Sequence, residues 1–242
     1  MSDAPTVHID PVAFHADPYP VLAHMRAQTP VCFVPELGAT LFTRRDDVFM
    51  QEKRIDVFSS HQPNGLLTRV MGPNLMRKDG DAHMAERRAL FPALSPRTVR
   101  DVLAPQFREI VQGHIDRIKL RGACELVQDY AMPVAADALR VMTGLINMEA
   151  ADMDAASQAM LDAAANYQND PDIEAAGFAH AARVLALIKD RLPGLRAAPD
   201  LSIISVLDQA GLDIDAIAGN VRAVSYTHLT LPTRCHRCRC RG

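Results

Sequence analysis

Several kinds of residue and pattern are scarce in this chain, and each absence excludes a class of protein. Tryptophan is absent and aromatic residues make up only 5% of the sequence. No uncharged apolar run approaches the roughly 20 residues that a membrane span needs. A formal net charge of -3 gives no indication of a nucleic-acid partner or of an anionic membrane surface. We therefore expect neither nucleic acid nor membrane as a partner.

Cysteine is also scarce through most of the chain. Cys32 and Cys124 are the only cysteines before residue 235. Two cysteines do not make a disulfide framework, and their scarcity favours a compartment that keeps thiols reduced. The first residues, MSDAPTVHID, lack the basic segment and apolar core of a secretory signal. The expected location is the cytoplasm.

What the chain has in quantity is helical patterning. Hydrophobic residues make up 48% and charged residues 23%, as in an ordinary globular protein. Apolar positions between residues 99 and 118 recur every three or four residues, which predicts a helix with one buried face that begins with Val99. Two short apolar runs, 31–34 and 39–43, flank the sequence PELG and predict a β-hairpin. The expected fold class is mainly α with a small N-terminal hairpin.

Capping residues, prolines and glycines predict where the other elements begin and end. A short helix that starts at Asp46 or Asp47 has Val48, Ile55 and Phe58 as candidate buried positions. Residues 61–82 are rich in Gly, Pro and Asn and have no long periodic run, which predicts a long loop. Ser95 is the expected cap of the next helix run, which Pro105 is expected to divide in two. Further helices are expected over 83–94, 131–144, 149–168, 172–192, 200–211 and 213–224.

One short stretch at the end of the predicted loop carries candidate chemistry. His83 and Arg87 are four residues apart at the start of a predicted helix, so they lie on the same face. A planar guanidinium and an imidazole next to a loop suit an anionic group such as a carboxylate. The alternative is a solvated helix face without a ligand, because His/Arg pairs at this spacing are common.

The segment around this pair resembles the C-helix region of the bacterial cytochromes P450, the haem-thiolate monooxygenases. The matching residues are Asp79, His83, Arg87, Arg88, Phe91 and the sequence Ser95-Pro96-Arg97. Gly80-Asp81 stands where the family usually has a Pro-Pro pair. Further segments resemble, in the family's order, its A helix, its second strand and B helix, its E helix, and its H helix with the start of the I helix. The resemblance covers roughly residues 11–224.

The resemblance implies a cofactor and a set of site residues. The cofactor of the intact enzyme would be haem b, with His83 and Arg87 as partners of a haem propionate and Leu75 and Met76 at the haem edge. The implied substrate is an apolar small molecule, and the implied electron donor is of the ferredoxin or flavodoxin type. The implied substrate-pocket residues are Leu66, Leu67, Val70, Met160 and Ala164. Ordinary core packing is the alternative for Leu75, Met76 and the substrate positions, Met160 above all.

The family residues that complete catalysis are absent from this sequence. These are the axial cysteine in its Phe- and Gly-rich loop, the Ala/Gly-Gly-x-x-Thr segment of the I helix, and a Glu-x-x-Arg. Neither Cys32 nor Cys124 matches the ligand loop, and both are expected to be small buried hydrophobes. We therefore expect residues 1–224 to be the N-terminal portion of a cytochrome P450 domain, truncated in the I helix. We also expect the 242-residue chain to be inactive on its own.

The composition changes abruptly after Val224. The sequence SYTHLTLPTRCHRCRCRG resembles translated adapter sequence, so residues 225–242 are expected to be a non-native tail. The alternative is a helical binding or regulatory protein whose basic tail holds zinc or nucleic acid. Its candidate ligands are Cys235, His236, Cys238 and Cys240. Only Cys235 and Cys238 have the usual two-residue gap of a zinc site, so we expect no metal there.

Overall fold

The described part of the chain is residues 3–229 of a computed structural model, with side chains as far as Ser225. Within this range the fold class is confirmed, because a two-stranded antiparallel sheet is accompanied by helices. The described residues form two compact units. The first unit contains the described residues up to Ser60 together with Tyr167–Asn169, and the second contains His61–Asn166 and the described residues from Asp170 onward.

The first unit contains the predicted hairpin. Its strands pair in the register Val31↔Phe42, and Gly38 closes the turn with a φ of 59°, which a glycine adopts without a steric penalty. A small core of Met25, Cys32 and Val34 lies beside the strands. The elements of this unit are α1 (Pro11–Ala16), α2 (Tyr19–Gln28), β1 (Val31–Val34), β2 (Ala39–Phe42) and α3 (Arg45–Gln51).

The buried positions expected around α3 are wrong. Val48, Ile55 and Phe58 are 43%, 54% and 39% exposed. The helix ends at Gln51, so Ile55 and Phe58 do not continue the helical face that Val48 begins. The helical spacing of these apolar residues extends past the end of a short helix. Beyond that end, the spacing no longer places residues on one helix face.

The second unit is helical throughout its regular elements. The loop expected over 61–82 contains a six-residue helix and a 3-10 turn at Leu75–Arg77, both too short to produce a periodic pattern. The helices are α4 (Leu66–Met71), α5 (Gly80–Leu94), α6 (Pro96–Thr98), α7 (Ala104–Arg121), α8 (Met132–Thr143), α9 (Ala150–Ala164), α10 (Pro171–Ala197), α11 (Ile203–Gln209) and α12 (Ile214–Leu229). None of the helices in the described range is long and apolar enough to cross a bilayer.

The predicted cap at Ser95, the end near Gly144 and the division near Pro105 are all found in the structure. Ser95 Oγ accepts a hydrogen bond from the Thr98 N–H at 3.1 Å, as expected of a cap. Gly144 ends α8 with a φ of 92°. The run is divided just before Pro105: a π-helical turn at Val99–Leu103 separates α6 from α7, and Pro105 lies in the first turn of α7, where a helix needs no N–H donor. Val99 itself is 45% exposed rather than buried.

The main hydrophobic core lies where α12 meets its neighbours. Helix α12 packs against α4, α8, α9, α10 and α11. The described part of α12 is buried along most of its length, from Ala216 to Ser225. Fully buried core residues from five of these helices are Leu139, Met153, Ile188, Ile204 and Ile217. Because α12 contacts five neighbouring helices, it is the central helix of the second unit.

Helices α9 and α10 approach each other closely at one glycine. A Cβ placed on Gly177 would overlap Ala163 Cβ and lie 3.2 Å from the carbonyl oxygen of Ala159. Gly194, in the same helix, has no atom within 4 Å of the corresponding position. The two glycines therefore differ in packing while they share the same helical backbone.

We expect opposite effects when each of these glycines is replaced by alanine. Gly177→Ala should destabilise the protein by about 1–3 kcal/mol, because overpacking forces α9 and α10 apart. Gly194→Ala should stabilise it by about 0.5–1 kcal/mol, because alanine restricts the unfolded backbone. Urea unfolding of the two variants measures both changes. A shift in the same direction for both variants would contradict the close approach of α9 and α10.

Candidate functional site

His83 and Arg87 lie on the first two turns of α5. His83 is half-buried and Arg87 is exposed. His83 Nδ1 lies 2.9 Å from the carbonyl oxygen of Leu75. Because a carbonyl oxygen only accepts hydrogen bonds, Nδ1 carries the hydrogen and donates it. Nε2 is therefore the ring nitrogen left for a ligand.

Leu75 is held at both ends of its backbone. Its N–H donates to Asn220 Oδ1 of α12 at 3.0 Å, and its carbonyl accepts the bond from His83. The preceding residue, Asn74, is fully buried, and its Oδ1 accepts from the Met76 N–H at 3.1 Å. The 3-10 turn is thus fixed on one side by α12 and on the other by α5.

Asn220 and Glu86 form a buried polar pair beneath this turn. Asn220 is 1% exposed and Glu86 is 7% exposed. Asn220 Nδ2 donates to Glu86 Oε2 at 3.1 Å and to the carbonyl oxygen of Ala216 at 2.9 Å. Lys78 Nζ pairs with the other carboxylate oxygen of Glu86. Hydrogen bonds therefore link α12 to α5 and, through Leu75, to His83.

The backbone of α12 comes close enough to the turn for these bonds to form. A Cβ at Gly219 would overlap the carbonyl oxygen of Pro73. Only a glycine fits at this point of the helix. Gly219 precedes Asn220 directly, so the close approach and the hydrogen bond to Leu75 occur at the same place.

The sequence analysis did not identify Glu86, Asn220 or Gly219 as parts of the site. Glu86 stands three residues after His83, and no pattern in the sequence marked it. A Gly-Asn pair inside an apolar helical pattern was the available signal for α12, since both residues are unfavourable in a helix interior.

The start of α5 carries more positive charge than the predicted pair. Arg77 Nε is buried and has no hydrogen-bond partner within the described range. Among the described side chains, no carboxylate forms an ion pair with Arg77, His83 or Arg87. Leu75 and Met76, which directly precede Arg77, are half-buried, and Leu75 packs against the main core. A group with carboxylates on an apolar body fits this donor set.

The predicted substrate residues largely come together in one place. Val70 and Met160 are buried in the same apolar cluster, and Leu67 and Ala164 pack against it. Leu66 is half-buried and outside this cluster. Met160 is fully buried, as the core-packing alternative expects. We call this group the α4 cluster, and its buried members are Val70, Met71, Met160, Ala163 and Ala181.

An arginine that the sequence analysis missed lies at the edge of the α4 cluster. Arg222 of α12 donates from Nη1 to the carbonyl oxygen of Met71 at 3.1 Å, and from Nη2 to that of Ala181 at 2.7 Å. Its Nε is buried without a hydrogen-bond partner. Burial lowers the pKa of Arg222, and the charge of Asp215 opposes that effect.

A second polar region lies elsewhere in the unit and its members pair with one another. A cavity of about 380 Å³ is lined by His114, Arg121 and Asp129 among others. Arg121 bonds Asp129 at 2.9 Å, which holds the pKa of that carboxyl below its ordinary value. His114 bonds Asp137 at 2.9 Å. These pairs leave neither His114 nor Arg121 without a partner in the cavity wall.

The two described cysteines differ in surroundings. Cys32 is fully buried in β1, and this burial raises the pKa of its thiol. Cys124 is exposed after the end of α7, against our expectation of a buried residue. No group of three or more His, Cys, Asp or Glu side chains is arranged to hold a metal in the described part of the chain.

Helix α12 runs to Leu229 and so continues beyond Val224. The candidate ligands Cys235, His236, Cys238 and Cys240 lie outside the described residues. The division between residues 1–224 and a non-native tail of 225–242 stays a prediction.

Comparison with known sequences gives distant relatives. No family model matches the chain. The chain is 24% identical over 226 residues to proteins named cytochrome P450 123 from Mycobacterium tuberculosis and Mycobacterium bovis. The alignment covers 88% of this chain and 54% of each relative. The chain thus spans about half the length of the curated relatives it matches.

Comparison with solved structures gives the same fold. P450BioI, solved with an acyl carrier protein carrying hexadec-9Z-enoic acid, has a TM-score of 0.74 at 16% identity, covering 90% of this chain and 59% of that one. CYP109E1 from Bacillus megaterium, solved with testosterone, has a TM-score of 0.72 at 17% identity, covering 88% and 56%. Myxobacterial CYP267B1, solved with myristic acid, has a TM-score of 0.65 at 21% identity, covering 89% and 57%.

We expect Glu86→Ala to destabilise the protein by about 2–4 kcal/mol, because it leaves the Asn220 amide and the Lys78 ammonium without their acceptor. Glu109→Ala, at an exposed position of α7, is the control and should change stability by less than about 0.5 kcal/mol. Urea unfolding measures both.

The double variant of Glu86 and Asn220 should lose less free energy of unfolding than the sum of the losses in the single variants, since the two residues interact. Additive losses would show that the pair is not coupled.

Proposed function

We propose that this chain, which has the fold of the N-terminal part of a cytochrome P450, is part of a haem-dependent monooxygenase. The intact enzyme would bind haem b and insert one oxygen atom from O2 into an apolar small molecule. The observation that carries the proposal is that Arg77, His83 and Arg87, in and just before α5, have no carboxylate partner among the described side chains. A haem is a large apolar plate with two carboxylates, so it needs an apolar slot and cations at one rim.

His83 and Arg87 are the proposed partners of one haem propionate. Arg87 offers a planar fork of donors that matches a carboxylate. His83 Nδ1 already donates to Leu75, so a bond from Nε2 to the same carboxylate requires a hydrogen on both ring nitrogens. Arg77 is a further cation at this rim, and Leu75 and Met76 supply apolar contact beside it.

Haem with an axial thiolate supplies, when bound, the chemistry that places one atom of O2 in a C–H bond and releases the other as water, using two electrons from a donor. Within the described chain, Cys32 is buried in β1 and Cys124 follows α7. Neither cysteine is adjacent to α5 in the sequence, and neither lies in a Phe- and Gly-rich loop. We infer that the 242-residue chain alone does not form the thiolate-ligated site.

The proposed substrate is an apolar small molecule that contacts the α4 cluster and Leu66. Three similar structures were solved with mainly apolar ligands, namely a fatty acyl chain on its carrier protein, testosterone and myristic acid. A ferredoxin- or flavodoxin-type protein is the proposed electron donor. We place the protein in the cytoplasm, on the basis of its two cysteines before residue 235.

We expect Arg87→Ala and His83→Ala to weaken haem binding by the 242-residue chain, each by about tenfold or more, because each removes a charge-assisted hydrogen bond. Arg88→Ala is the matched control, since Arg88 is the exposed neighbour of Arg87 and points to a different face of α5. Absorbance titration of haem measures the affinities. Equal losses for Arg87→Ala and Arg88→Ala would indicate non-specific attraction by positive charge and overturn the assignment.

A second measurement tests the monooxygenase itself. We expect haem added to the 242-residue chain to give no carbon-monoxide difference spectrum of the thiolate type. We expect the product of the genomic reading frame continued past Val224 to give one, because it would supply the axial cysteine. A thiolate-type spectrum from the 242-residue chain would contradict the inference that it lacks the thiolate-ligated site. A continued frame without a cysteine loop would refute the monooxygenase proposal.

A further inference from the structure

The buried amide of Asn220 fits its surroundings in only one orientation. Its Oδ1 accepts from the Leu75 N–H at 3.0 Å, and its Nδ2 donates to Glu86 Oε2 at 3.1 Å and to the carbonyl oxygen of Ala216 at 2.9 Å. A half-turn of the amide would place its oxygen against two acceptors and its NH2 group against a donor. Because Asn220 is 1% exposed, bulk water does not replace these partners. The side chain therefore ties its neighbours to α12 in one fixed arrangement.

The neighbours of Asn220 are the two parts of the chain between which the His83 ring lies. Glu86 stands one turn after His83 on α5, so its bond to Asn220 holds the helix that carries the ring. Leu75 belongs to the 3-10 turn, and its carbonyl oxygen accepts from His83 Nδ1 at 2.9 Å. One amide thus bonds both the helix that carries the ring and the residue that the ring contacts. Asn220 thereby limits how far these two parts can move relative to each other.

Helix α12 also holds the segment that leads into this turn. Arg222 Nη1 donates to the carbonyl oxygen of Met71 at 3.1 Å. A Cβ at Gly219 would overlap the carbonyl oxygen of Pro73, so the backbone of α12 lies directly against the segment there. The bond to Leu75 is the last of these three contacts along the chain. Without it, the segment would be held by α12 at its start and its middle, and no longer at the end that forms the turn.

The other polar contacts of the turn restrict it less closely. The Leu75 carbonyl oxygen also accepts from the Lys78 N–H at 3.3 Å, a bond within the turn that reaches neither helix. The Lys78 ammonium pairs with Glu86, but through a long and flexible side chain. The Asn220 side chain is shorter and more deeply buried than that of Lys78. Its bonds therefore define the position of the turn against α5 more closely than the lysine does.

We propose that Asn220 is a positioning residue for the proposed haem site. It acts through Leu75 and Glu86 on the ring of His83, and so sets the direction in which Nε2 points. Asn220 is buried beneath the turn and does not itself contact the carboxylate. Arg87 is exposed on α5 and is not reached by these bonds. The inference rests on the proposed function and adds to it the helix that controls one of the two propionate partners.

The test is a double-variant cycle of haem binding by the 242-residue chain, measured by absorbance titration. Asn220→Ala should weaken haem binding by about fivefold or more in the otherwise unaltered chain, because Nε2 no longer points in a fixed direction. In the His83→Ala chain, the same substitution should weaken binding by less than about twofold, because no ring remains to be positioned. In the Arg87→Ala chain, it should keep its full effect, so that the two fold-losses multiply.

Asn166→Ala is the matched control, because Asn166 is also buried and also bonds a backbone N–H and a backbone carbonyl, both of Asp170. It should lower stability in urea unfolding and change haem affinity by less than about twofold. Should Asn220→Ala fail to fold, Asn220→Ser is the second variant, since its hydroxyl can bond its own helix but is too short to reach Leu75. Equal fold-losses from the Asn220 variant in the unaltered and His83→Ala chains would assign Asn220 a purely structural role and overturn the inference.

Hydrogen exchange followed by NMR on the haem-free chain tests the position of the ring without the cofactor. We expect the Nδ1 hydrogen of His83 to exchange faster with solvent in Asn220→Ala, because its acceptor on Leu75 is less fixed. The Nε2 hydrogen of His114, which bonds Asp137 between α7 and α8, should exchange at an unchanged rate. An unchanged rate at His83 would overturn the inference. A chain without specific haem binding contradicts the proposed function, while the exchange rates still decide whether Asn220 positions His83.

Discussion

The hydrogen bonds of Asn220 are the constraint on which the candidate site depends. This one buried amide accepts from the Leu75 N–H and donates to Glu86 and to its own helix, so all of its described bonds lie between α12, α5 and the turn before α5. The amide reaches Leu75 only because Gly219 lets the backbone of α12 come against Pro73. A side chain at 219 would move the helix away and leave buried donors and acceptors without partners, which costs more than the bonds themselves contribute. The position of the cations at α5 follows from this contact.

Helix α12 has different polar surroundings on its two sides. Asn220 and Arg222 are two residues apart and so point in nearly opposite directions, since each residue turns the helix by about 100°. On the side of α5, a neutral amide has its partners and stabilises the fold. On the side of α4 and α10, a charged guanidinium has only backbone carbonyls and an unused buried donor. Asn220 therefore supports the turn before α5, whereas the Nε–H of Arg222 has no acceptor within the described range.

Local signals in the sequence predicted the parts of the fold that depend on a few neighbouring residues. The hairpin, the cap at Ser95 and the end of α8 at Gly144 each follow from turn or capping chemistry within about four residues. The shared face of His83 and Arg87 follows from helix geometry alone. Glu86 and Asn220 meet across 134 positions, and Arg222 reaches Met71 across 151. No local pattern in the sequence predicts a contact over such a separation. The residues that support the site, and Arg222 beside the α4 cluster, therefore became apparent only from the three-dimensional structure. Helix α4 was missed for the opposite reason, because its six residues are too few to show a period.

The hydrogen bonds around Leu75 connect α12 to the ring of His83. The carbonyl oxygen of Leu75 fixes which ring nitrogen of His83 carries the hydrogen. Asn220 holds the N–H of the same residue and so limits how Leu75 can turn. A carboxylate at Nε2 would then meet a ring whose other nitrogen is already committed to Leu75. The same carboxylate would bond Arg87, whose guanidinium needs no such positioning to carry its charge. Any change in α12 that turned Asn220 away from Leu75 would therefore leave the orientation of the His83 ring less defined. In the proposed site, the direction in which Nε2 points thus depends on a contact with a distant helix.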